Sequence, residues 1–259
     1  MTEPQSTLWI RRFQPRPTAP FRLVCLPRAG GSATFFAGLP MLLGPEVEVL
    51  GVQYPGRQDR RGEPCVESMA ELTGAVVEEL LPWTDRPLAL FGHSLGAVLA
   101  FEVARGLTGA GHVPAALFVS GRRAPSRQRP EYAHRLDDDG LLREIRRLSG
   151  TDDRVFADEE LVRMVLPAIC ADFRIVENYR YEPGPPLDCP LTVFTGTDDP
   201  KVSADEAAAW REHTTDTFAL HSLPGGHFFL TAHQERVAEE VTKGLPPLPV
   251  RYRDPARRP

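Results

Sequence analysis

The segment GHSLGA at residues 92–97 places a serine between two glycines at a spacing used for nucleophilic catalysis. A serine hydroxyl attacks a carbonyl only when a base takes its proton and a third group orients that base. Asp198 and Asp199 follow in GTDDPKV, and His227 follows in PGGHFF. Serine, aspartate and histidine in this chain order can form a catalytic triad. The sequence therefore predicts acyl-transfer chemistry at Ser94, with His227 as the base.

Two neighbouring aspartates compete for the orienting role. The spacing G-x-x-D-x-x-V within GTDDPKV selects Asp199 and leaves Asp198 as a turn residue that binds local N–H groups. We therefore expect Ser94, Asp199 and His227 to be the catalytic residues, with Asp198 as the alternative to Asp199.

Acyl transfer also needs donors for the negatively charged oxygen of the tetrahedral intermediate. The segment PRAGGS at residues 27–32 follows an apolar run, and its glycines let backbone N–H groups face a ligand. We expect the N–H groups of Ala29 and of Leu95, the residue after the serine, to form this oxyanion hole. A phosphate-binding loop is the alternative, but the chain contains neither G-x-x-x-x-G-K-[ST] nor G-x-G-x-x-G.

Short apolar runs must position these residues. Runs rich in Val, Leu and Phe predict strands that are buried on both faces, at Phe21–Pro27, Val47–Tyr54, Leu88–Gly92, Ala115–Ser120 and Leu191–Thr195. A weaker sixth strand is predicted at Thr217–Ser222 and an edge strand at Leu8–Phe13. Capping boxes predict helix starts at Ser68, Ser203 and Thr231. Alternating strands and helices indicate a mostly parallel sheet with helices on both faces.

The serine motif lies where this alternation requires a sharp turn. A strand leads into it, and a predicted helix, Leu95–Leu107, leads out. Glycines at positions 92 and 96 remove the Cβ atoms that would collide in such a turn. The alternative, an ordinary strand-to-helix turn, is disfavoured because both flanking elements are in place.

One interval is too long for a simple crossover. Seventy residues, from Gly121 to Pro190, separate two predicted strands. We expect an inserted helical lid at about residues 122–188, with helices at Arg135–Leu148 and Asp158–Tyr179, the second divided at Pro167. Apart from this lid, we expect a single domain over residues 1–259, with a flexible tail at 245–259.

Composition narrows the class of protein. The 259 residues are 42% hydrophobic and 25% charged, as in an ordinary globular protein, and the net charge of −5 argues against nucleic-acid binding. No signal peptide and no apolar run long enough for a membrane span is recognised, so we expect a cytoplasmic protein without a membrane partner. Scattered cysteines and histidines lack metal-site spacing, so no metal is predicted.

Six motifs together carry a family resemblance: LPRAGGSA (26–33), YPGR (54–57), GHSLGA (92–97), ADFRIVENYRY (171–181), GTDDPKV (196–202) and PGGHFF (224–229). Over about residues 20–240 the chain resembles the stand-alone type II thioesterases of polyketide and non-ribosomal peptide synthesis. The resemblance implies an α/β-hydrolase fold with a lid that shapes an acyl pocket. It also implies an editing enzyme that hydrolyses acyl thioesters on the phosphopantetheine arm of acyl or peptidyl carrier proteins. No cofactor is expected, and we expect a monomer.

Two alternatives to this interpretation remain. A general carboxylesterase or lipase would use the same triad on small esters and would need no carrier-protein surface. A non-catalytic α/β-hydrolase that only binds a partner is disfavoured, because such proteins usually lose a triad residue and all three are present here.

Arginines cluster after two of the predicted strands. Arg57, Arg60 and Arg61 lie in YPGRQDRRG, and Arg122 and Arg123 lie in SGRRAPSRQR. Loops at the carboxyl ends of parallel strands surround the active site of an open α/β sheet. We therefore expect these arginines to form a rim that meets the pantetheine phosphate and an acidic carrier protein, with an ordinary solvated face as the alternative.

Overall fold

The computed structural model describes residues 7–149 and 159–247. These residues form a seven-stranded sheet in the order β1-β3-β2-β4-β5-β6-β7. Its strands are β1 (Ile10–Arg12), β2 (Phe21–Leu26), β3 (Val47–Val52), β4 (Leu88–His93), β5 (Ala116–Ser120), β6 (Leu191–Gly196) and β7 (Phe218–Leu223). β1 is antiparallel to β3 and the other neighbouring strands are parallel, so the predicted α/β sheet is confirmed.

Helices pack on both faces of this sheet. They are α1 (Leu39–Leu42), α2 (Met69–Leu80), α3 (Leu95–Gly109), α4 (Asp138–Ser149), α5 (Glu159–Asn178), α6 (Ala204–Ala208) and α7 (Gln234–Gly244). α2 and α3 contribute to the hydrophobic cluster on one face, and α1 and α7 contribute to the cluster on the other. The five inner strands β2 to β6 are buried throughout, whereas β7 is only half-buried because it lies at an edge. This edge position explains the weaker apolar pattern of β7.

The segment between β5 and β6 has a small core of its own. Side chains from α4, α5 and the short turn before α4 pack together, namely Ala133, Leu141, Leu142, Ile145, Leu148, Leu166, Ile169 and Phe173. α4 begins at Asp138, not at Arg135, because Arg135 ends a short 3₁₀ turn and Asp137 Oδ1 accepts the N–H of Gly140 at 2.8 Å, as an N-cap residue does. The predicted starting residue of the next helix, Asp158, lies outside the described residues.

The predicted division of the second helix at Pro167 is wrong. α5 runs continuously through Pro167. Leu166 and Ile169, on either side of the proline, are buried in the same cluster. Burying a large apolar side chain contributes about 1.5–3 kcal/mol, so two such side chains offset the cost of about 3 kcal/mol for proline inside a helix.

The helix start predicted at Thr231 is also wrong. Thr231 ends a short 3₁₀ turn, and His233 is the N-cap of α7. Phe229 and Leu230 are buried within this turn, so their packing delays the start of the helix. The other two predicted caps hold: the Ser68 hydroxyl accepts the N–H of Glu71, and Ser203 forms a complete capping box.

The described chain ends at residue 247, within the predicted flexible tail. Leu245, the first residue of the predicted tail, packs against the cluster that contains α7. Residues 248–259 lie outside the described part of the chain, so the flexible tail stays a prediction. Among the helices of residues 7–149 and 159–247, none combines the length and the apolar character that a bilayer crossing requires.

Candidate active site

A strained turn presents Ser94 between β4 and α3. Its φ of 55° and ψ of −112° are unusual for a residue with a side chain. The glycines on either side permit this turn. A Cβ at Gly92 would lie 1.9 Å from the carbonyl oxygen of Gly96, and a Cβ at Gly96 would lie 2.0 Å from that of Leu26. The Ser94 N–H donates to the carbonyl of Ser120 at 2.8 Å, which fixes the turn to β5.

Three side chains form a continuous hydrogen-bonded chain at this turn. His227 Nε2 lies 3.0 Å from Ser94 Oγ. On the other side of the ring, His227 Nδ1 lies 2.9 Å from Asp199 Oδ2 and 3.1 Å from Oδ1. His227 and Asp199 are buried, whereas Ser94 faces a cavity. The carboxylate therefore holds Nδ1 protonated and leaves Nε2 free to accept the serine proton.

The loops after β6 and β7 set the aspartate and the histidine against each other. A Cβ at Gly196 would lie 2.4 Å from the Gly225 carbonyl oxygen, so the two loops pack backbone to backbone. The Lys201 N–H donates to Asp199 Oδ1 at 2.8 Å and holds the carboxylate in place. Asp198 is exposed and accepts a hydrogen bond from the Thr197 hydroxyl instead. Of the two neighbouring aspartates, Asp199 is the one that reaches His227.

Two backbone donors lie near the serine. Leu95 is the first residue of α3, so its N–H is among the four that have no acceptor within the helix. Ala29 lies in the loop after β2 and lines the same cavity as Ser94. These are the positions predicted for the oxyanion hole.

A cavity of about 340 Å³ opens beside Ser94. Its walls are mostly apolar and come from α4, α5 and the loop after β7, with Ile145, Leu148, Val165, Ile169, Phe173, Val176 and Phe228. Charged side chains also line it, namely Arg28, Arg122, Glu131, Glu177 and Lys201. This composition suits an acyl chain whose reactive carbonyl lies at Ser94.

Three charged residues of the cavity, Arg122, Glu131 and Lys201, form one network of ion pairs. The Lys201 ammonium binds Glu131 at 3.0 Å and Glu144 of α4 at 2.9 Å. Burial raises the pKa of Glu131, but the charges of Arg122, Lys201 and Arg123 outweigh it and bring this pKa to about 2. Burial lowers the pKa of Arg122 to about 10, against the opposing effect of Glu131. Lys201 thus links α4 to the loop that carries Asp199.

The predicted arginine rim is wrong for most of its members. Arg57, Arg60 and Arg123 are buried and paired with Asp172, Glu63 and Glu131. Arg60 stacks on Trp9 and does not line the cavity. Arg122 lines the cavity from inside, and Arg61 alone of the five is exposed. An arginine next to a carboxylate forms an internal ion pair, which a run of charges in one sequence does not reveal.

A second histidine lies directly behind the first. His93 is fully buried, its ring centroid lies 5.5 Å from that of His227, and its Nδ1 lies 3.0 Å from Ser120 Oγ. Burial lowers the pKa of His93 well below its ordinary value, and electrostatic interactions with His227 and Arg28 lower it further. His93 is therefore a neutral packing residue whose ring bonds to the Ser120 hydroxyl, whereas the Ser94 hydroxyl bonds to His227.

Several residues of the site were not predicted from the sequence. Asp172, Lys201 and Glu131 carry no recognisable catalytic spacing, although Asp172 and Lys201 lie inside motifs that carried the family resemblance. Their partners lie far away in the chain, 115 residues for Arg57 with Asp172 and 70 residues for Lys201 with Glu131. Across residues 7–149 and 159–247, no group of three or more potential ligands is arranged to hold a metal ion.

Comparison with known proteins agrees with this arrangement. A family model described as "Thioesterase domain" matches residues 21–245. The chain is 50% identical over 242 residues to "Thioesterase PikA5" of Streptomyces venezuelae, covering 93% of this chain and 86% of that protein. It is 48% identical over 239 residues to "Probable cadicidin biosynthesis thioesterase" of Streptomyces griseus, covering 92% of this chain but 66% of that relative's length.

Solved structures give the same result. The type II thioesterase BorB from the borrelidin biosynthetic cluster superposes with a TM-score of 0.89 at 50% identity, covering 94% of this chain and all of that one. The thioesterase RedJ from the prodiginine pathway of Streptomyces coelicolor superposes with a TM-score of 0.84 at 41% identity, covering 89% of this chain and 88% of that one.

Gly92→Ala will destabilise the protein by more than about 3 kcal/mol, because a Cβ there overlaps a backbone carbonyl that cannot move independently. Urea unfolding measures the loss. Gly74→Ala is the matched control: Gly74 lies within α2 and a Cβ there meets nothing within 4 Å, so this change stabilises the protein by about 0.5–1 kcal/mol. Equal stabilities for the two variants would contradict the steric explanation.

His93 will make the protein less stable as the pH falls. The folded protein keeps His93 neutral at pH values where the unfolded chain protonates it, so the unfolded state binds more protons. Below the ordinary histidine pKa of about 6.5, the free energy of unfolding then decreases by up to about 1.4 kcal/mol per pH unit from this residue. Urea unfolding at several pH values between 8 and 5 gives the free energy of unfolding as a function of pH. This free energy will fall less steeply with decreasing pH for His93→Gln than for wild type. His112→Gln, at an exposed position, is the control, and identical slopes for wild type and His93→Gln would contradict the assignment.

Proposed function

Since the chain belongs to the thioesterase family and is thus a hydrolase of thioesters, we propose that it acts on acyl groups held on carrier proteins of polyketide or non-ribosomal peptide synthesis. The acyl group would be attached to the phosphopantetheine arm, and its removal would free a stalled carrier. The names of its relatives support this role: ClbQ comes from the colibactin NRPS/PKS pathway, and PikA5 is named as a thioesterase.

The observation that carries the proposal is the chain of hydrogen bonds from Ser94 through His227 to Asp199 at the end of an apolar cavity. In the first step Ser94 Oγ bonds to the thioester carbonyl carbon, and its proton passes to His227 Nε2. The N–H groups of Ala29 and Leu95 stabilise the negative oxygen. The C–S bond then breaks, and the pantetheine sulfur leaves with the proton from His227.

Water completes the reaction at the same residues. It gives a proton to His227 while its oxygen bonds to the acyl carbon, and the ester bond to Ser94 breaks as Ser94 regains a proton from His227. Asp199 holds the His227 ring in the orientation and tautomer that both steps need, and stabilises the positive charge that the ring carries during each step. The product is a free carboxylic acid, and the enzyme returns to its starting state.

In this proposal the described parts of residues 122–188, namely 122–149 and 159–188, form a lid over the acyl group. Ile145 and Leu148 of α4 and Ile169 and Phe173 of α5 line the cavity from this segment. Burying a methylene group contributes about 0.8 kcal/mol, so these walls favour an acyl chain over acetate. A carrier protein brings such a chain at the end of a long, narrow arm, which suits a site at the end of a cavity.

Wild-type protein will remove acyl groups from loaded carrier proteins, and Ser94→Ala will lower this rate by at least about 10⁴-fold, because no other group can form the acyl-enzyme. Intact-mass spectrometry of the carrier protein follows the loss of each acyl group. Far-UV circular dichroism checks that the variant is folded. Undiminished turnover by folded Ser94→Ala would refute the mechanism, and wild-type turnover of a small free ester but not of any loaded carrier would favour a general carboxylesterase.

Asp199→Asn will lower kcat by on the order of 10³- to 10⁴-fold, because the neutral amide neither fixes the His227 tautomer nor stabilises its charge. Asp198→Asn is the matched control, one residue away and exposed, and will keep kcat close to that of wild type. Steady-state kinetics with a short acyl thioester measures both. A larger loss at position 198 would reverse the assignment of the orienting aspartate.

A further inference from the structure

We infer that Asp172 and Arg57 are positioning residues that aim the Ala29 N–H at the oxyanion. The inference rests on the proposed function, because it needs a reaction in which an oxyanion forms near Ser94. Asp172 lies on α5, in the segment between β5 and β6, and Arg57 lies in the loop after β3. Neither residue lines the cavity, so each acts through the loop that carries Ala29.

The two side chains form a buried, two-pronged ion pair. Arg57 Nη1 donates to Asp172 Oδ2 at 2.6 Å, and Arg57 Nη2 donates to Asp172 Oδ1 at 3.0 Å. Arg57 is 6% exposed and Asp172 is 1% exposed. Burial lowers the pKa of Arg57, but the charge and hydrogen bonds of Asp172 outweigh this and raise it overall. A pair of this geometry holds both groups in one orientation.

The same carboxylate also holds the loop after β2. Asp172 Oδ2 accepts the N–H of Gly30 at 2.7 Å, and Arg57 Nη1 donates to the Gly31 carbonyl at 3.3 Å. A backbone N–H bound to a charged acceptor is held more strongly than one bound to a neutral acceptor. Gly30 has a φ of +67°, and a Cβ there would lie 2.5 Å from Ile169 Cγ1, so glycine is required at this close approach to α5.

These bonds fix the direction of the Ala29 N–H. The carbonyl of Arg28, in the same peptide plane as this N–H, accepts the N–H of Gly31 at 2.9 Å. In a trans peptide the C=O and N–H point in opposite directions, so the Ala29 N–H points away from Gly31. On the other side, the Tyr54 hydroxyl donates to the Pro27 carbonyl at 3.1 Å. The peptide between residues 28 and 29 is thus held from both ends.

Misplacing the Ala29 N–H will affect kcat and KM differently, because the oxyanion forms during the reaction and not in the bound thioester. A donor to the oxyanion stabilises the transition state and contributes little to the bound thioester, so its misplacement lowers kcat and leaves KM nearly unchanged. Loss of one such donor typically costs on the order of 10²-fold or more in kcat. A residue with a purely structural role would instead reduce the amount of folded enzyme.

The main test removes both charges together in Arg57→Met/Asp172→Leu, because removing one partner leaves an unpaired buried charge. Asp172→Asn is the second variant: it keeps the shape of the side chain and removes its charge, but leaves Arg57 without a counterion, so only the folded fraction of this variant is compared. The matched control is Arg60→Met/Glu63→Gln, which removes a neighbouring ion pair that does not contact the loop of residues 28–31.

Two measurements separate positioning from folding. The first is kcat per active site, with active sites counted by titration. The second is the affinity for an acyl trifluoromethyl ketone, to which Ser94 Oγ adds while its proton passes to His227 and the ketone oxygen becomes the oxyanion. We expect kcat and inhibitor affinity to fall together by about 10²-fold in both Asp172 variants, with KM nearly unchanged and the control like wild type.

The outcomes distinguish this inference from the proposed function. If Ser94→Ala abolishes turnover while either folded Asp172 variant keeps wild-type kcat and inhibitor affinity, the positioning role is overturned and the hydrolase mechanism stands. The positioning role is also overturned if KM rises while kcat is unchanged, or if the control loses as much as the test variants. If Ser94→Ala keeps wild-type turnover, the proposed function is refuted, and the positioning role that rests on it is refuted as well.

Discussion

The backbone conformation of Ser94 is the constraint on which the site depends. A side chain at a φ of 55° is unfavourable by itself, so the surrounding structure must hold it there. Strands β2, β4 and β5 do this together. The carbonyl of Leu26, at the end of β2, packs against Gly96, and the carbonyl of Ser120, at the end of β5, accepts the Ser94 N–H. Because these strands are adjacent in the sheet, the turn cannot relax without breaking the sheet at its centre.

Two groups of charged side chains connect the segment between β5 and β6 to this framework. The Arg57 and Asp172 pair joins α5 to the loops after β2 and β3, and Lys201 joins α4 to the loop after β6. The two connections differ in exposure, since Asp172 is almost completely buried while the Glu144 side chain remains 18% exposed. Water and salt reach the α4 connection more easily. The ion pair that holds α4 is therefore screened more strongly than the pair of Arg57 with Asp172.

The sequence predicted most of the fold because strongly apolar strands and capped helices are local signals. The order of Ser94, Asp199 and His227 could also be predicted, since each residue lies in the loop or turn that follows a strand. Pro167 misled the prediction because tertiary packing of Leu166 and Ile169 outweighs a local preference. The arginines misled it for another reason: the partner of Arg57 lies 115 residues away, and a single sequence gives no sign of that contact.

The ion pair between residues 57 and 172 also bears on how such enzymes diversify. Its two members lie on opposite sides of the boundary of the segment between β5 and β6, which supplies much of the cavity wall. A chimera that takes this segment from a relative to change acyl preference would place a foreign residue 172 against the native Arg57. Unless the two match, the graft leaves a buried charge without its counterion, and the loop of residues 28–31 loses its anchor. The segment and Arg57 must therefore be exchanged together, although β4 and β5 lie between them in the chain.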